Sequence, residues 1–326
     1  MKQKQYIVRR AAQLGVLSAV FALSACGGAS PESQPGPKLA AKSVSLAAQS
    51  GTQLSDYQDA VQRIFVAYFG RPADTSGLPF FEQQLLNAGA PTTVQGINQA
   101  YLTNPNVKAL IDFFGTSAES QALYPGTTEE FLTAVYQNLY NRAPDAGGLA
   151  YWSAKINSGE LTRPNAAVSI MAGAQSTDID IISKKTAVAT SFTNSLDSAA
   201  KIEAYGGLSA NATVRSMLNQ VSNSTDLQAF QATLTATITS LVNSKLSTQA
   251  QSIVTARCTP CHSASPTISG FPAARIIKYD SASDIKNGAS GIALTVSLQS
   301  MPQNNMTGMT DAERATIAAW FAAGAP

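Results

Sequence analysis

The chain has 326 residues, of which 44% are hydrophobic and 13% charged, with a formal net charge of +2. This length is typical of about two domains, and the apolar content excludes wholesale disorder. The near-neutral charge provides no basic stripe, so we expect no nucleic-acid partner. Three cysteines and one histidine are a small stock of ligand groups, and each can be followed to a predicted role.

The amino terminus has the order of a secretory signal, with basic residues followed by an apolar run over residues 11–25. This run is shorter than the roughly 20 residues that a membrane-spanning helix needs. It ends in Leu23-Ser24-Ala25-Cys26, which resembles the lipobox of bacterial lipoproteins. The resemblance implies a lipoprotein signal peptide over residues 1–26, with Cys26 as the lipidated first residue of the mature chain. The alternative is an ordinary secretory signal with an incidental cysteine.

The next segment, residues 27–54, is rich in Ser, Ala, Gly, Pro and Gln and has almost no large apolar residue. Such a segment cannot bury enough surface to offset its chain entropy, so we predict a flexible tether. In the lipoprotein family, a residue other than Asp after the lipidated cysteine, here Gly27, implies sorting to the outer membrane. The expected location is therefore the cell envelope, at the outer membrane, facing the periplasm or the cell surface.

The middle of the chain contains an internal duplication. Residues 68–81 return as residues 139–152, with Arg, Asp, Gly and Leu at a constant offset. In both copies an aromatic pair follows, Phe80-Phe81 in the first and Tyr151-Trp152 in the second. Apolar residues at helical spacing precede each copy, so the pattern predicts two helix–turn–helix units that pack through their aromatic residues.

The turns of the two copies each carry one arginine and one aspartate. Asp74 and Asp145 are predicted to accept backbone N–H groups at the start of the following helix. The alternative, a calcium loop, would need a run of alternating oxygen ligands that neither turn has. Arg71 and Arg142 are predicted to pair with a carboxylate or with carbonyls at a helix end.

These repeated residues resemble the bacterial domain of unknown function 4214 family over about Asp56 to Ile182. The resemblance implies an all-helical domain of secreted and cell-surface proteins, and it implies no reaction. Further amphipathic helices are predicted between residues 184 and 242. The first predicted domain is therefore a helical repeat or bundle over residues 55–245.

The carboxyl-terminal part contains Cys258-Thr259-Pro260-Cys261-His262, and Cys-x-x-Cys-His is the attachment signal of c-type haem. Two cysteines at this spacing can bond to the two vinyl groups of one porphyrin, and the adjacent histidine can ligate its iron. We therefore predict one covalent haem c held by Cys258, Cys261 and His262. A structural zinc site would need four Cys or His ligands, and a thioredoxin-like pair would need an alternating strand–helix pattern.

A second axial ligand is needed for a six-coordinate iron, and no other histidine exists to provide it. Methionine is the natural candidate, and a Met/His pair raises the reduction potential. The dipeptide Met301-Pro302 resembles the Met-Pro loop of class I cytochromes c, so Met301 is the predicted ligand. Met306 and Met309 remain alternatives, with packing against the haem edge as their other interpretation.

The chain closes with a capping box, Thr310-Asp311-Ala312-Glu313, and a helix that contains Trp320 and ends at Gly324. This pattern resembles the small cytochrome c domains that are fused to other bacterial proteins. The resemblance implies a cytochrome c domain over residues 246–326, in which the first and last helices cross and bring Ile253 or Val254 near Trp320. The predicted fold class of the whole chain is all-α.

The leading functional hypothesis is an envelope lipoprotein that transfers single electrons to and from redox partner proteins, and not an enzyme. The alternative is a cell-surface interaction or scaffold protein with an accessory or sensing haem. A third hypothesis, an enzyme with an open iron site, requires that Met301 does not bind the iron.

Overall fold

The computed structural model describes residues 51–268, 270 and 276–326. The predicted signal peptide, Cys26 and nearly all of the predicted tether lie outside the described residues. Within them the chain is all-α, as predicted. Its helices are α1 (Gln58–Phe69), α2 (Gly77–Asn87), α3 (Val94–Ala100), α4 (Pro105–Thr116), α5 (Ala118–Leu123), α6 (Thr128–Tyr140), α7 (Ala146–Asn157), α8 (Arg163–Ala172), α9 (Thr177–Ser195), α10 (Ala199–Ala204), α11 (Leu208–Leu218), α12 (Leu227–Arg257), α13 (Ala282–Asn287), α14 (Ala289–Ser297) and α15 (Asp311–Ala322). None of the described helices is both long and apolar enough to cross a bilayer.

The duplication seen in the sequence extends further in the structure. Helices α1 and α2 correspond to α6 and α7, and α3 and α4 begin close to the positions that match α8 and α9. The copies interlock, because α1 packs on α9 while α3 and α4 pack on α8. Each copy therefore completes the hydrophobic core of the other.

The turn aspartates act as predicted. Asp74 Oδ1 accepts the backbone N–H of Gly77 at 2.7 Å, and Asp145 Oδ1 accepts that of Gly148 at 2.8 Å. Each carboxylate satisfies an N–H group in the first turn of a helix, which would otherwise lack a partner. The capping interpretation is confirmed at both turns.

The turn arginines also occupy matching roles. Arg71 donates through Nε and Nη2 to the two carboxylate oxygens of Glu119, at 2.7 and 2.8 Å. Arg142 makes the same two-pronged contact with Asp178, at 3.0 and 2.6 Å. Bidentate pairing fixes the guanidinium plane, so each arginine ties its turn to another helix.

A fully buried lysine closes the end of α6. Lys185 of α9 is surrounded by the carbonyl oxygen of Asn138, Oδ1 of Asn141 at 2.6 Å and Oδ1 of Asn219 at 3.4 Å. Burial lowers the pKa of Lys185 to about 7, from 10.5. The amine of Lys185 supplies N–H donors to the end of α6, where the last carbonyl groups have no partner within the helix.

We expect the stability of the wild type relative to the Lys185→Met variant to rise with pH. Between pH 7 and 10.5 the unfolded lysine binds its proton more tightly than the folded one does. Raising the pH through this window therefore stabilises the folded wild type, by about 1 kcal/mol per pH unit. Tyrosine ionisation affects both proteins alike and cancels.

Urea unfolding of the wild type and of Lys185→Met, at about pH 7.5 and about pH 9.5, measures this difference. A difference in unfolding free energy that does not change between these two pH values would contradict the assignment.

The described residues form two hydrophobic clusters that share one helix. The larger cluster runs from Tyr57 to Leu241. The smaller one is formed by residues of α12 to α15 and their flanks, namely Ala250, Val254, Ile285, Ala289, Ile292, Val296, Met309, Ile317, Trp320 and Ala325. Helix α12 contributes to both clusters and runs without a break through the boundary predicted between residues 245 and 246. The two cores are therefore joined by a continuous helix.

Candidate functional site

The Cys-x-x-Cys-His motif begins where α12 ends. The N–H of Cys258 donates to the carbonyl oxygen of Val254 at 2.8 Å, which continues the helical pattern by one residue. The carbonyl oxygen of Cys258 then accepts the N–H groups of Cys261 at 3.1 Å and of His262 at 2.8 Å. These bonds fold the motif into a tight turn on the helix end, so both thiols and the imidazole belong to one compact unit.

The imidazole of His262 is oriented by the segment that follows it. Its Nδ1 lies 3.0 Å from the carbonyl oxygen of Ile277, and its own carbonyl accepts the N–H of Tyr279 at 2.9 Å. Because a carbonyl only accepts hydrogen bonds, Nδ1 carries the proton in this contact. The neutral ring then has its free lone pair on Nε2, the arrangement found in metal-ligating histidines.

One cavity brings the predicted haem residues together. It has a volume of about 450 Å³, within the range of about 300–1,000 Å³ that is usual for cofactor sites. Its walls include Cys258, Cys261, His262 and Met301. The other lining residues are Arg257, Gly270, Ile277, Tyr279, Gly291, Ile292, Thr295, Val296, Pro302, Gln303, Met306 and Thr307. Residues that are far apart in the sequence thus face one mainly apolar space.

Met301 lies on a loop that is held at its backbone. Its N–H donates to the carbonyl oxygen of Thr295 at 3.2 Å. Its carbonyl oxygen accepts Nη1 of Arg314 at 3.0 Å, and the same nitrogen donates to the carbonyl of Val296 at 3.0 Å. Arg314 therefore links α15 to the end of α14 and to the loop, and it holds the backbone of Met301 in place.

The structure separates the two alternative methionines. Met309 is 3% exposed and belongs to the smaller hydrophobic cluster, whereas Met306 is 53% exposed and lines the cavity. Met301, at 37% exposed, also lines it. Met309 is thus a core residue, and two methionines face the cavity.

The large apolar residues between the Cys-x-x-Cys-His motif and Met301 divide into several groups. Ile277 and Ile292 line the cavity, and Ile285 lies in the smaller hydrophobic cluster. Ile276 and Leu294 are largely exposed. Phe271 lies outside the described residues.

The first and last helices of this region pack as predicted. Val254 of α12 and Trp320 of α15 belong to the same cluster. Arg257 Nε donates to Glu313 Oε1 at 3.0 Å, and its Nη1 donates to the carbonyl oxygen of Thr307 at 2.5 Å. The predicted capping box is present, since Thr310 Oγ1 accepts the N–H of Glu313 at 3.2 Å. These bonds tie the motif helix to the methionine loop.

The surroundings of Cys258 differ from those of a reactive redox thiol. Burial, with a further contribution from Cys261, raises the pKa of the Cys258 thiol to about 11. A thioredoxin-like redox pair has instead a lowered thiol pKa. In the described part of the chain, no group of three or more His, Cys, Asp or Glu side chains is arranged to hold a metal ion.

Gly291 is a cavity residue that the sequence reasoning missed. It is the third residue of α14 and lines the cavity, and a Cβ built there would meet no atom within 4 Å. Glycine in a helix costs roughly 0.5–1 kcal/mol relative to alanine. An isolated glycine in a helical pattern is the signal that points to such a position. Here it leaves room for a bulky group beside the motif.

We expect Gly291→Leu to fill this space and to reduce haem loading. With haem in the cavity, the added side chain overpacks the site at a cost of about 1–3 kcal/mol. Because the attachment is covalent, we expect this cost to appear as a smaller fraction of chains that acquire haem. The matched control is Ser290→Leu, because Ser290 is an exposed neighbour on the same helix that does not line the cavity. The haem-to-protein absorbance ratio of the purified variants measures the effect. Equal loading of both variants would show that the space is not used.

The comparisons with known proteins match one part of the chain. The family model described as "Domain of unknown function (DUF4214)" matches residues 112–177, from the end of α4 to the start of α9. This segment includes the second copy of the duplicated turn. No curated protein and no solved structure matches the chain. The chain therefore contains a DUF4214 domain at residues 112–177.

Proposed function

We propose that this protein is a cell-envelope lipoprotein that carries one covalent c-type haem and transfers single electrons. The observation that carries the proposal is the cavity that Cys258, Cys261, His262 and Met301 share. The sequence brings the first three together in one motif, but Met301 is separated from them by the intervening segment and α13 and α14. Their convergence on one apolar space is the arrangement that a haem needs.

The residues present fit this cofactor. Cys258 and Cys261 would hold it covalently, and His262 Nε2 and the Met301 sulfur would be its axial ligands. Ile277 keeps the imidazole in the tautomer that leaves Nε2 free. When bound, the haem supplies reversible one-electron chemistry at its iron.

The lining of the cavity favours electron transfer over catalysis. Among the described lining residues, Arg257 alone has a side chain that is charged at neutral pH. Its guanidinium group is paired with Glu313 at 3.0 Å. No described lining residue is a carboxylate that could act as a general base. If His262 and Met301 both held the iron, no position on it would be left open for a substrate.

The location of the protein is proposed from its sequence. The basic and apolar segments followed by Cys26 favour export and lipidation, and the tether after them favours a folded part held away from the lipid. Export is consistent with a covalently attached haem. In the cytochrome c family, which this part of the chain resembles, haem is attached outside the cytoplasm. The proposed partners are redox proteins of the envelope, with no nucleic acid among them.

The extent of the helical repeat region is also proposed. The resemblance to the DUF4214 family over Asp56 to Ile182 is supported by the matching turns, in which Arg71 and Arg142 make equivalent bidentate pairs. In this proposal the repeat region spaces or docks the haem-bearing part. The two are connected by α12, which is one continuous helix.

A redox titration of the purified protein, with absorption spectra, tests the proposal. We expect one haem per chain, a single one-electron transition, and low-spin spectra in which the ferric form has the weak red-end band of sulfur ligation. High-spin spectra together with ready binding of carbon monoxide would contradict it, and would favour an enzyme with an open iron site.

A further inference from the structure

A second cleft lies between the two copies of the repeat. It has a volume of about 330 Å³ and is formed by α3 of the first copy and by α7 and α8 of the second. None of its lining residues lines the haem cavity. Its principal side chains are Gln95, Asn98, Gln99, Tyr151, Trp152 and Lys155. The cleft is therefore a feature separate from the proposed redox site.

One wall of the cleft offers amide groups. Gln95 and Gln99 are exposed on α3, and within the described part of the chain their side-chain amides have no hydrogen-bond partner. Asn98 is already bonded to the hydroxyl of Ser169, at 2.7 Å from its Oδ1, and the same hydroxyl lies 2.7 Å from Asn165 Oδ1; the free amides of this wall are therefore those of Gln95 and Gln99. Side-chain amides both donate and accept hydrogen bonds, so this wall suits a ligand that carries hydroxyl or acetamido groups.

The other wall offers aromatic surface. Tyr151 is 54% exposed and stands edge-on to Trp152, with ring centroids 4.9 Å apart and planes at 78°. Trp152 Nε1 already donates to the hydroxyl of Tyr136 at 2.9 Å. The polar atom of the indole is thus satisfied inside the protein, and its ring offers the cleft an apolar surface.

The charge in the cleft favours a neutral ligand. Lys155 is its charged lining residue, and its ammonium group is paired with Glu160. The same ammonium lies 5.0 Å from the ring centroid of Tyr151. With this cation already partnered and no carboxylate among the described lining residues, an ionic ligand gains little here.

The first copy of the repeat provides an internal comparison. At the positions that match Tyr151 and Trp152 it has Phe80 and Phe81. Phe81 packs into a phenylalanine cluster, 5.5 Å from Phe65 and 4.5 Å from Phe114 between ring centroids. In both copies the first aromatic residue of the pair is about half exposed and the second packs against the larger hydrophobic cluster. The pair of the second copy also lines the cleft, so the first copy supplies a matched control.

We propose that this cleft binds a neutral oligosaccharide, with the apolar face of one sugar ring against Tyr151 and Trp152 and its polar substituents bonded to the amides of α3. Sugars combine an apolar ring face with a rim of hydroxyl groups, which matches a cleft with one aromatic and one amide wall. This inference does not depend on the haem.

The two tryptophans of the chain allow a direct test. Trp152 lines the cleft, whereas Trp320 is buried in the smaller hydrophobic cluster. We would titrate the full ¹⁵N-labelled chain with chitotriose, which carries acetamido groups, and with cellotriose, which has the same linkage and hydroxyl groups only. We expect at least one of the two to shift the indole signal of Trp152 and to leave that of Trp320 unchanged.

Variants separate a binding site from a non-specific effect. Tyr151→Ala is expected to weaken binding about tenfold, the equivalent of about 1.4 kcal/mol of lost ring contact. Phe80→Ala, at the matching position of the first copy, is expected to leave the affinity unchanged. The proposal is overturned if neither trisaccharide shifts the Trp152 signal, if Trp320 shifts equally, or if Tyr151→Ala binds as the wild type does.

Discussion

Replacing both Cys258 and Cys261 with serine is expected to remove all covalently bound haem. Serine cannot form the thioether bonds, so the content falls from one haem per chain to none. Each single variant keeps one thiol and is expected to retain a weaker, single attachment. Haem-dependent peroxidase staining after denaturing electrophoresis measures the effect, because a non-covalent haem is lost on denaturation.

Two controls keep this prediction specific. Cys26→Ser is expected to lose the lipid anchor and keep the haem, since Cys26 belongs to the predicted lipobox and not to the motif. Circular dichroism of the double variant is expected to keep the helical signal of α1 to α11, because the larger hydrophobic cluster contains none of the residues that line the haem cavity. Haem staining that survives in the double variant would contradict the proposed attachment.

Met301→Ala is expected to produce the second-largest change. It removes the predicted sulfur ligand and leaves His262 alone on the iron, so the ferric protein should lose its red-end band and bind carbon monoxide readily. Axial ligands tune the potential over about 0.8 V, so we expect a fall on the order of tenths of a volt. Absorption spectra and a redox titration measure both effects.

Met306→Ala is the matched control, because Met306 also lines the cavity and is more exposed. We expect it to keep the low-spin spectrum and to change the potential little. If Met306→Ala lost the sulfur band and Met301→Ala kept it, the ligand would be Met306. A sulfur band that persists in both variants would contradict a methionine ligand from this loop.

The site shows why part of it could be predicted from the sequence. The spacing of Cys258, Cys261 and His262 is a local pattern that needs no tertiary structure. Spacing alone does not distinguish Met301 from Met309, because both lie on the loop between α14 and α15. Their burial does distinguish them, since Met309 is enclosed in the core. The contact of Arg314 with the Met301 carbonyl depends on how α15 packs, which no local pattern contains.

Part of the fold could likewise be predicted from the sequence, and part could not. The all-α class and the turn contacts of Asp74 and Asp145 follow from local residue types, and the structure confirms them. The correspondence of α3 with α8 and of α4 with α9 was missed, because these helices share spacing and packing more than residue identity. The continuity of α12 was also missed, since its Ala, Ser and Thr residues give little sign of the two cores that it joins.

The most direct test of the central claim is the intact mass of the wild-type chain, matured in a periplasm that attaches haem and then treated with an alkylating reagent under denaturing conditions. We expect a chain heavier by one haem, with no label on Cys258 or Cys261. A chain that lacks this added mass and carries the label on both thiols would contradict the covalent haem and, with it, the proposed electron transfer.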